Sequence, residues 1–292
     1  RCGNANLLSL AANLTFKLGI PCLTPDQMGR LTEVHKYIGE VVNLPPHTSQ
    51  PFVGLSAFSH KGGLHGSAVA KFEDSYQHIK PALVGNSTRM VISEQAGRGN
   101  IAYKLKEIGL SEVVPHDQFG ALVLEIKEKE SRGFQYEGAE ASFELLIRRN
   151  AQSYVAPFGL VDYMVLVKRE RRFSESGDEE DGSLSEATVK IQIGQEVRHT
   201  AAVGNGPVNA LDTALRKALL EDYPSLAQVR LLDYKVRVVD QGSGTGAIVR
   251  VLVESTDGDH TWQTVGASSN IIEASWLAVV DSLEFWLVKY AN

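Results

Sequence analysis

From Asn4 to Leu18 the apolar positions fall at Leu7, Leu8, Leu10, Ala11, Leu14 and Leu18, a helical spacing. Gly19 and then Pro21 close it. Thr24-Pro25-Asp26 reads as an N-cap followed by proline at the first helical position, so a helix is expected from about Pro25 to Ile38. "NLPPHTSQP" (Asn43 to Pro51) is too rich in proline for a regular element and is a loop. "SEQAGRGNI" (Ser93 to Ile101) leads into a short helix ending near Gly109, and Gln118 to Lys129 and Glu137 to Arg149 give two more. Up to about residue 150 the pattern is helical and connective, with no strand-rich core.

After Ser153 the pattern turns to alternation. "DYMVLV" (Asp162 to Val167) and "ATVKIQI" (Ala187 to Ile193) read as strands. The charged, glycine-containing "RRFSESGDEEDGSLSE" between them is expected to be a solvated hairpin loop rather than an acidic binding tail. "HTAAVGNGPVNALDTALRKALLE" (His199 to Glu221) then gives a strand, a glycine turn and an amphipathic helix. The same order returns in "DYKVRV" (Asp233 to Val238), "VRVLVES" (Val249 to Ser255) and "WQTVGASSNIIEASWLAVVDSL" (Trp262 to Leu283). Val203-Gly204 aligns with Val265-Gly266, 62 positions on. This reads as an internal duplication of a β-β-β-α unit. Each half has only one apolar face per element, so the two are expected to share one core of layered sheets and helices. The expected class is α+β: helical linker subdomains over residues 21–154, then the duplicated domain over 155–292.

Composition narrows the partners. A net charge of −6 argues against nucleic acid, which needs a surplus of Lys and Arg to neutralise phosphates. No apolar run approaches the roughly 18 residues of a membrane span. With only Cys2 and Cys22 there is no disulfide framework, and reduced thiols in the cytoplasm are expected. The chain opens on Arg rather than Met and runs straight into "RCGNANLLSL", which reads as a piece of a longer protein.

"SHKGGLHGSAV" (Ser59 to Val69) sets His60, Lys61 and His65 around a Gly-Gly pair. Gly62 and Gly63 oppose the helix that would align paired ligands, and no Cys or carboxylate follows within six residues, so a local metal site is disfavoured. Two readings stay open: histidines that stabilise a turn, or a glycine loop whose small residues Gly66, Ser67 and Ala68 leave room for a bulky substrate.

"RCGNANL", "AFSHKGGLHGSAV", "YQHIKPALVGN" (Tyr76 to Asn86), "SEQAGRGNI", "GNGPVNAL" and "SSNIIEASW", in this order along the whole chain, resemble the isopropylmalate/homocitrate/citramalate synthase family. The wording is nearest its citramalate branch. The resemblance implies condensation of acetyl-CoA with a 2-oxo acid. That acid is pyruvate in the citramalate branch, on the way to isoleucine. In the family a divalent metal (Mg, Mn or Zn) in a TIM barrel polarises the keto group, a base takes a methyl proton from acetyl-CoA, and the enolate attacks. Residues 1–20 resemble the end of that barrel, whose principal metal and substrate ligands this chain lacks, so no turnover is expected of it alone.

The resemblance assigns three residues to catalysis. Asn4 matches an asparagine beside the metal; capping of the following helix is its other reading. His65 matches a histidine that reaches from one subunit of a homodimer into the barrel of the other, and Tyr76 a tyrosine that follows it; a half-buried packing role is the other reading of Tyr76. His60 and Lys61 then shape the loop or meet the CoA phosphates. The C-terminal domain resembles the family's regulatory domain, with isoleucine as effector. Gly204, Gly206 and Gly266 precede helices whose free N–H groups suit a carboxylate, and Asn209 and Asn270 could accept from an ammonium group. Tight strand-to-helix turns are the other reading of the glycines. The alternatives are the isopropylmalate branch, with leucine as effector, and a free-standing amino-acid-binding module that never catalyses.

Overall fold

Asn6 caps the first helix, α1 (Leu7–Leu18): its Oδ1 accepts from the Ser9 N–H at 3.0 Å. The capping role considered for Asn4 therefore belongs to its neighbour two residues on. Gly19 ends α1 in the left-handed region at φ 67°. The computed structural model describes residues 4–42, 47–60, 68–69, 72–90, 98–111, 113–173, 179–239 and 244–291. It divides into two units, Arg1–Ser111 and Glu112–Asn292.

In the first unit the helix expected over 25–38 is two helices, α2 (Pro25–Met28) and α3 (Leu31–Val41). Thr24 opens α2 with a reciprocal cap: its Oγ1 accepts from the Gln27 N–H, and Gln27 Oε1 accepts from the Thr24 N–H. The break follows from packing. Gly85, at φ 67°, lies so close over the Gly29 carbonyl that a Cβ on it would stand 2.1 Å from that oxygen. Thr32 Oγ1 then donates to the Val84 carbonyl at 2.7 Å, tying α3 to the same segment. Ala12, Met28, Leu31, Phe52, Val53, Phe58 and Val84 form the small core beneath. A two-residue parallel pair, β1 (Ser59–His60) with β2 (Arg89–Met90), and α4 (Arg98–Glu107) complete the described elements of this unit longer than a single turn.

The second unit begins with α5 (Phe119–Ser131) and α6 (Glu140–Arg149). Three strands follow, β3 (Gly159–Phe173), β4 (Glu179–Ile193) and β5 (Glu196–Gly204), in an antiparallel sheet of order β3-β4-β5, and then α7 (Pro207–Leu219). A second antiparallel sheet, β6 (Arg230–Val238), β7 (Val249–Thr256) and β8 (Thr261–Ser268), precedes α8 (Ile271–Lys289). The β3–β4 ladder continues to Phe173 opposite Glu179, so most of the charged run expected as a loop is paired strand. Ladder hydrogen bonds run between backbone groups and ask nothing of the side chains, so a charged sequence does not prevent the pairing.

One side-chain bond recurs at a spacing of 64, where the expected duplication aligned the halves at 62. Thr200 Oγ1 donates to the Ala214 carbonyl and Thr264 Oγ1 to the Ala278 carbonyl, each at 2.7 Å, from matching places on β5 and β8. At that spacing Gly204 falls opposite Ser268 rather than Gly266. A slip of two keeps every side chain on its own face of a strand, so alternation alone could not detect it. Both sheets, α6, α7 and α8 contribute to one core that includes Leu145, Val189, Ile191, Leu215, Val251, Val253, Leu283 and Trp286. No helix among the described residues is long and apolar enough to cross a membrane.

Candidate functional site

The five residues singled out for effector binding lie on β5 and β8 (Gly204, Gly266), at the N-caps of α7 and α8 (Gly206, Asn270) and in the first turn of α7 (Asn209). A Cβ on Gly204 would lie 2.5 Å from the Ala210 nitrogen and 2.6 Å from Asn209 Oδ1. One on Gly266 would lie 2.0 Å from the Ala274 carbonyl oxygen. Both glycines let a helix backbone approach its strand. Gly206 differs: at φ −167° its backbone is extended, and nothing stands within 4 Å of its Cβ position. It is the N-cap of α7 and supplies no side-chain cap, while Pro207 has no N–H. Asn209 Oδ1 accepts from the Asn205 N–H at 3.1 Å, and Asn270 caps α8 by accepting from the Ile272 N–H at 2.9 Å. Each asparagine oxygen already holds a backbone donor of its own turn.

Two tyrosines that the sequence reading passed over pack on the first turns of α8. The Tyr163 ring on β3 lies 5.0 Å from the Trp276 ring, and the Tyr234 hydroxyl on β6 lies 2.5 Å from Ser275 Oγ. Their signal was the Asp-Tyr dipeptide that opens both "DYMVLV" and "DYKVRV". In each case it follows a register shift in the ladder, between Leu160 and Asp162 and between Leu231 and Asp233. Burial raises the pKa of the Tyr163 hydroxyl, with Glu273 adding to the effect.

A charged cluster joins α6 to α8. Arg149 donates through Nε to Glu284 Oε1 and through Nη2 to both Glu284 Oε2 and Asp281 Oδ1, at 2.6–2.9 Å. Ser142 Oγ donates to Asp281 Oδ2 at 2.6 Å and accepts from the Val265 N–H at 3.0 Å, linking α6 to β8 as well. Tyr154 donates to Glu284 Oε1 at 2.5 Å. Burial raises the Asp281 pKa against the opposing pull of Arg149. Burial alone would lower the Arg149 pKa, but Asp281 and Glu284 outweigh it and raise it.

The residues assigned to catalysis lie in the first unit. Asn4 is exposed just ahead of α1. Tyr76 ends a 3₁₀ turn (Glu73–Tyr76) and is half exposed. His60 is buried in β1 opposite Met90. Lys61 and His65 lie outside the described residues. Among the described residues no group of three or more His, Cys, Asp or Glu side chains comes together to hold a metal ion, so those present do not fit the metal that the resemblance implies.

Residues 137–287 match the LeuA allosteric (dimerisation) domain. The chain belongs to this family. The LeuA domain thus spans α6, both sheets, α7 and most of α8. Residues 52–133 match the homocitrate synthase post-HMGL domain-like family. An (R)-citramalate synthase of Aquifex aeolicus is 46% identical over 291 residues, covering 99% of this chain and 53% of the relative. One of Geobacter sulfurreducens is 46% identical with the same coverage, and a 2-isopropylmalate synthase of Methanocaldococcus jannaschii is 26% identical over 99% of this chain and 52% of the relative. The chain spans about half the length of the curated relatives it matches. The likeness to citramalate synthases read from the motifs holds along the LeuA domain and the segment before it.

Proposed function

We propose that the chain is the linker and regulatory part of an (R)-citramalate synthase, an acyltransferase that joins acetyl-CoA to pyruvate in isoleucine biosynthesis. The observation that carries this reading is 46% identity to (R)-citramalate synthases over nearly the whole chain. In this reading residues 1–20 end a catalytic TIM barrel, 21–154 form the linker subdomains and 155–292 the regulatory domain. The divalent metal belongs to the barrel. Asn4 borders that metal, and His65 and Tyr76 reach the active site across a homodimer. The description of the LeuA domain as a dimerisation domain supports the homodimer.

The regulatory domain in this reading is a duplicated β-β-β-α unit that binds isoleucine at its strand-to-helix turns. The matched ladder shifts and the paired threonine bonds support the duplication. Titration calorimetry of the full chain with isoleucine, leucine and valine tests effector binding. Preference for isoleucine is expected. Preference for leucine would favour the isopropylmalate branch, and no heat from any of the three would remove the regulatory reading.

A further inference from the structure

Ser185, on β4, is fully buried, and among the described residues its Oγ has no hydrogen-bond partner. Buried hydroxyls are nearly always paired, so an orphan one needs a reason. The ladder shows where it points. Ser185 lies directly opposite Gly204 on β5, and such partners project from the same face with their Cβ positions about 5 Å apart. The Cβ position of Gly204 meets Asn209 Oδ1 and the Ala210 backbone, so the first turn of α7 covers that face. Ser185 therefore aims its hydroxyl at the start of α7.

That start is rich in unused donors. α7 has no side-chain cap, and the first-turn N–H groups of Val208 and Asn209 have no acceptor within the helix. The α8 turn is closed instead by its own side chains. Ser268 Oγ accepts from the Asn270 N–H at 3.1 Å and donates to Glu273 Oε2 at 2.5 Å, while Asn270 caps Ile272. At the spacing of 64 set by the threonine bonds, Gly204 and Gly206 stand where α8 has Ser268 and Asn270. Across the ladders, Ser185 faces Gly204 where Val249 faces Ser268. One turn is thus self-satisfied, and the other combines free N–H groups with an orphan hydroxyl.

We propose that the α7 turn, rather than the α8 turn, seats the carboxylate of a small aliphatic amino acid, and that Ser185 donates to it beside the N–H groups of Val208 and Asn209. This rests on the effector reading above and narrows it from two turns to one. Val167 on β3 flanks Ser185 on its other side, on the same face, and is 56% exposed. It offers aliphatic surface one strand from the hydroxyl, and the side from which a ligand can approach.

Titration calorimetry and backbone amide NMR of the full chain with isoleucine, against isoleucinamide as the control without a carboxylate, test this. Saturable binding of isoleucine is expected, with shifts centred on Val208 and Asn209 rather than on Ile271 and Ile272. Ser185→Ala should bind at least about tenfold more weakly, the loss of a hydrogen bond to a charged group. Because the hydroxyl has no partner in the folded chain, its removal should leave the thermal midpoint unchanged or higher. No binding by the parent would remove the effector reading and this assignment with it. Binding by the parent that Ser185→Ala retains in full would overturn the assignment alone. So would equal binding of the amide, shifts centred on the α8 turn, or a lower melting point in Ser185→Ala.

Discussion

Arg149 meets Glu284 through two parallel hydrogen bonds, Nε to Oε1 at 2.9 Å and Nη2 to Oε2 at 2.6 Å, across 135 residues of chain. This pair, extended to Asp281 and Tyr154, fastens α6 onto α8. Arg149→Ala would leave two largely buried carboxylates facing each other without their cation. Removing one partner of a buried pair costs about 3–5 kcal/mol; since Arg149 is partly exposed, about 2–4 kcal/mol is expected by urea unfolding. Arg149→Lys should recover part of the loss, because it restores the charge without the fork. A loss below about 0.5 kcal/mol in Arg149→Ala would show that the cluster adds nothing to stability.

The β7–β8 hairpin supplies a pH dependence of known sign. Burial alone would raise the Asp257 pKa. Donation from Trp286 Nε1 at 2.9 Å, from the His260 and Asp259 N–H groups and from the His260 ring outweighs it and holds the pKa below its ordinary value. A carboxylate whose pKa is lowered on folding contributes stability above its unfolded value, and loses it as pH falls through the folded one. Asp257→Asn should therefore be less stable than the parent at neutral pH, with the gap closing below about pH 4. Asp281, raised on folding, acts in the opposite sense: its contribution falls as pH rises above its unfolded value. Urea midpoints across that range read both, and a gap in Asp257→Asn that stayed constant would contradict the Asp257 assignment.

What the sequence disclosed and what it hid divide by distance along the chain. The α1 helix with its Gly19 stop, the Thr24 cap and the two strands opening on Asp-Tyr are local, and they were legible. The break at Gly29 depends on Gly85, 56 residues away, and no local pattern announces it. The packing of α6 into the C-terminal core rests likewise on partners more than 120 residues distant. The five residues expected to bind the effector do fall around the two strand-to-helix turns, on β5, β8 and the starts of α7 and α8, but their individual surroundings needed coordinates. Nothing in "GNGP" separates Gly204, pressed against α7, from Gly206, which faces open space.

Tyr76→Phe should lower kcat of the barrel-bearing enzyme by roughly 10²–10⁴-fold if the hydroxyl takes part in proton transfer. The side chain is half exposed, so removing one oxygen leaves the fold intact and the thermal midpoint unchanged. Steady-state kinetics beside a melting curve separates the two effects. Unchanged kcat with an unchanged melt would return Tyr76 to an ordinary surface role.

The two glycines give the sharpest contrast. At Gly266 a methyl group would meet the Ala274 carbonyl oxygen at 2.0 Å and the Ala278 nitrogen at 2.9 Å, both backbone atoms of α8. The helix would have to move off its strand, opening the contact that Thr264 makes with the Ala278 carbonyl. Gly266→Ala should therefore cost about 2–4 kcal/mol, at or above the upper part of the usual range for overpacking. At Gly206 nothing lies near the added atom and the backbone is extended, so Gly206→Ala should fall within about 0.5 kcal/mol of the parent. That makes Gly206 the position at which binding can be tested apart from folding. If isoleucine seats its carboxylate on the uncapped start of α7, larger side chains there should weaken the titration heat while leaving the melt alone. Undiminished isoleucine binding in Gly206→Val would move the effector away from this turn.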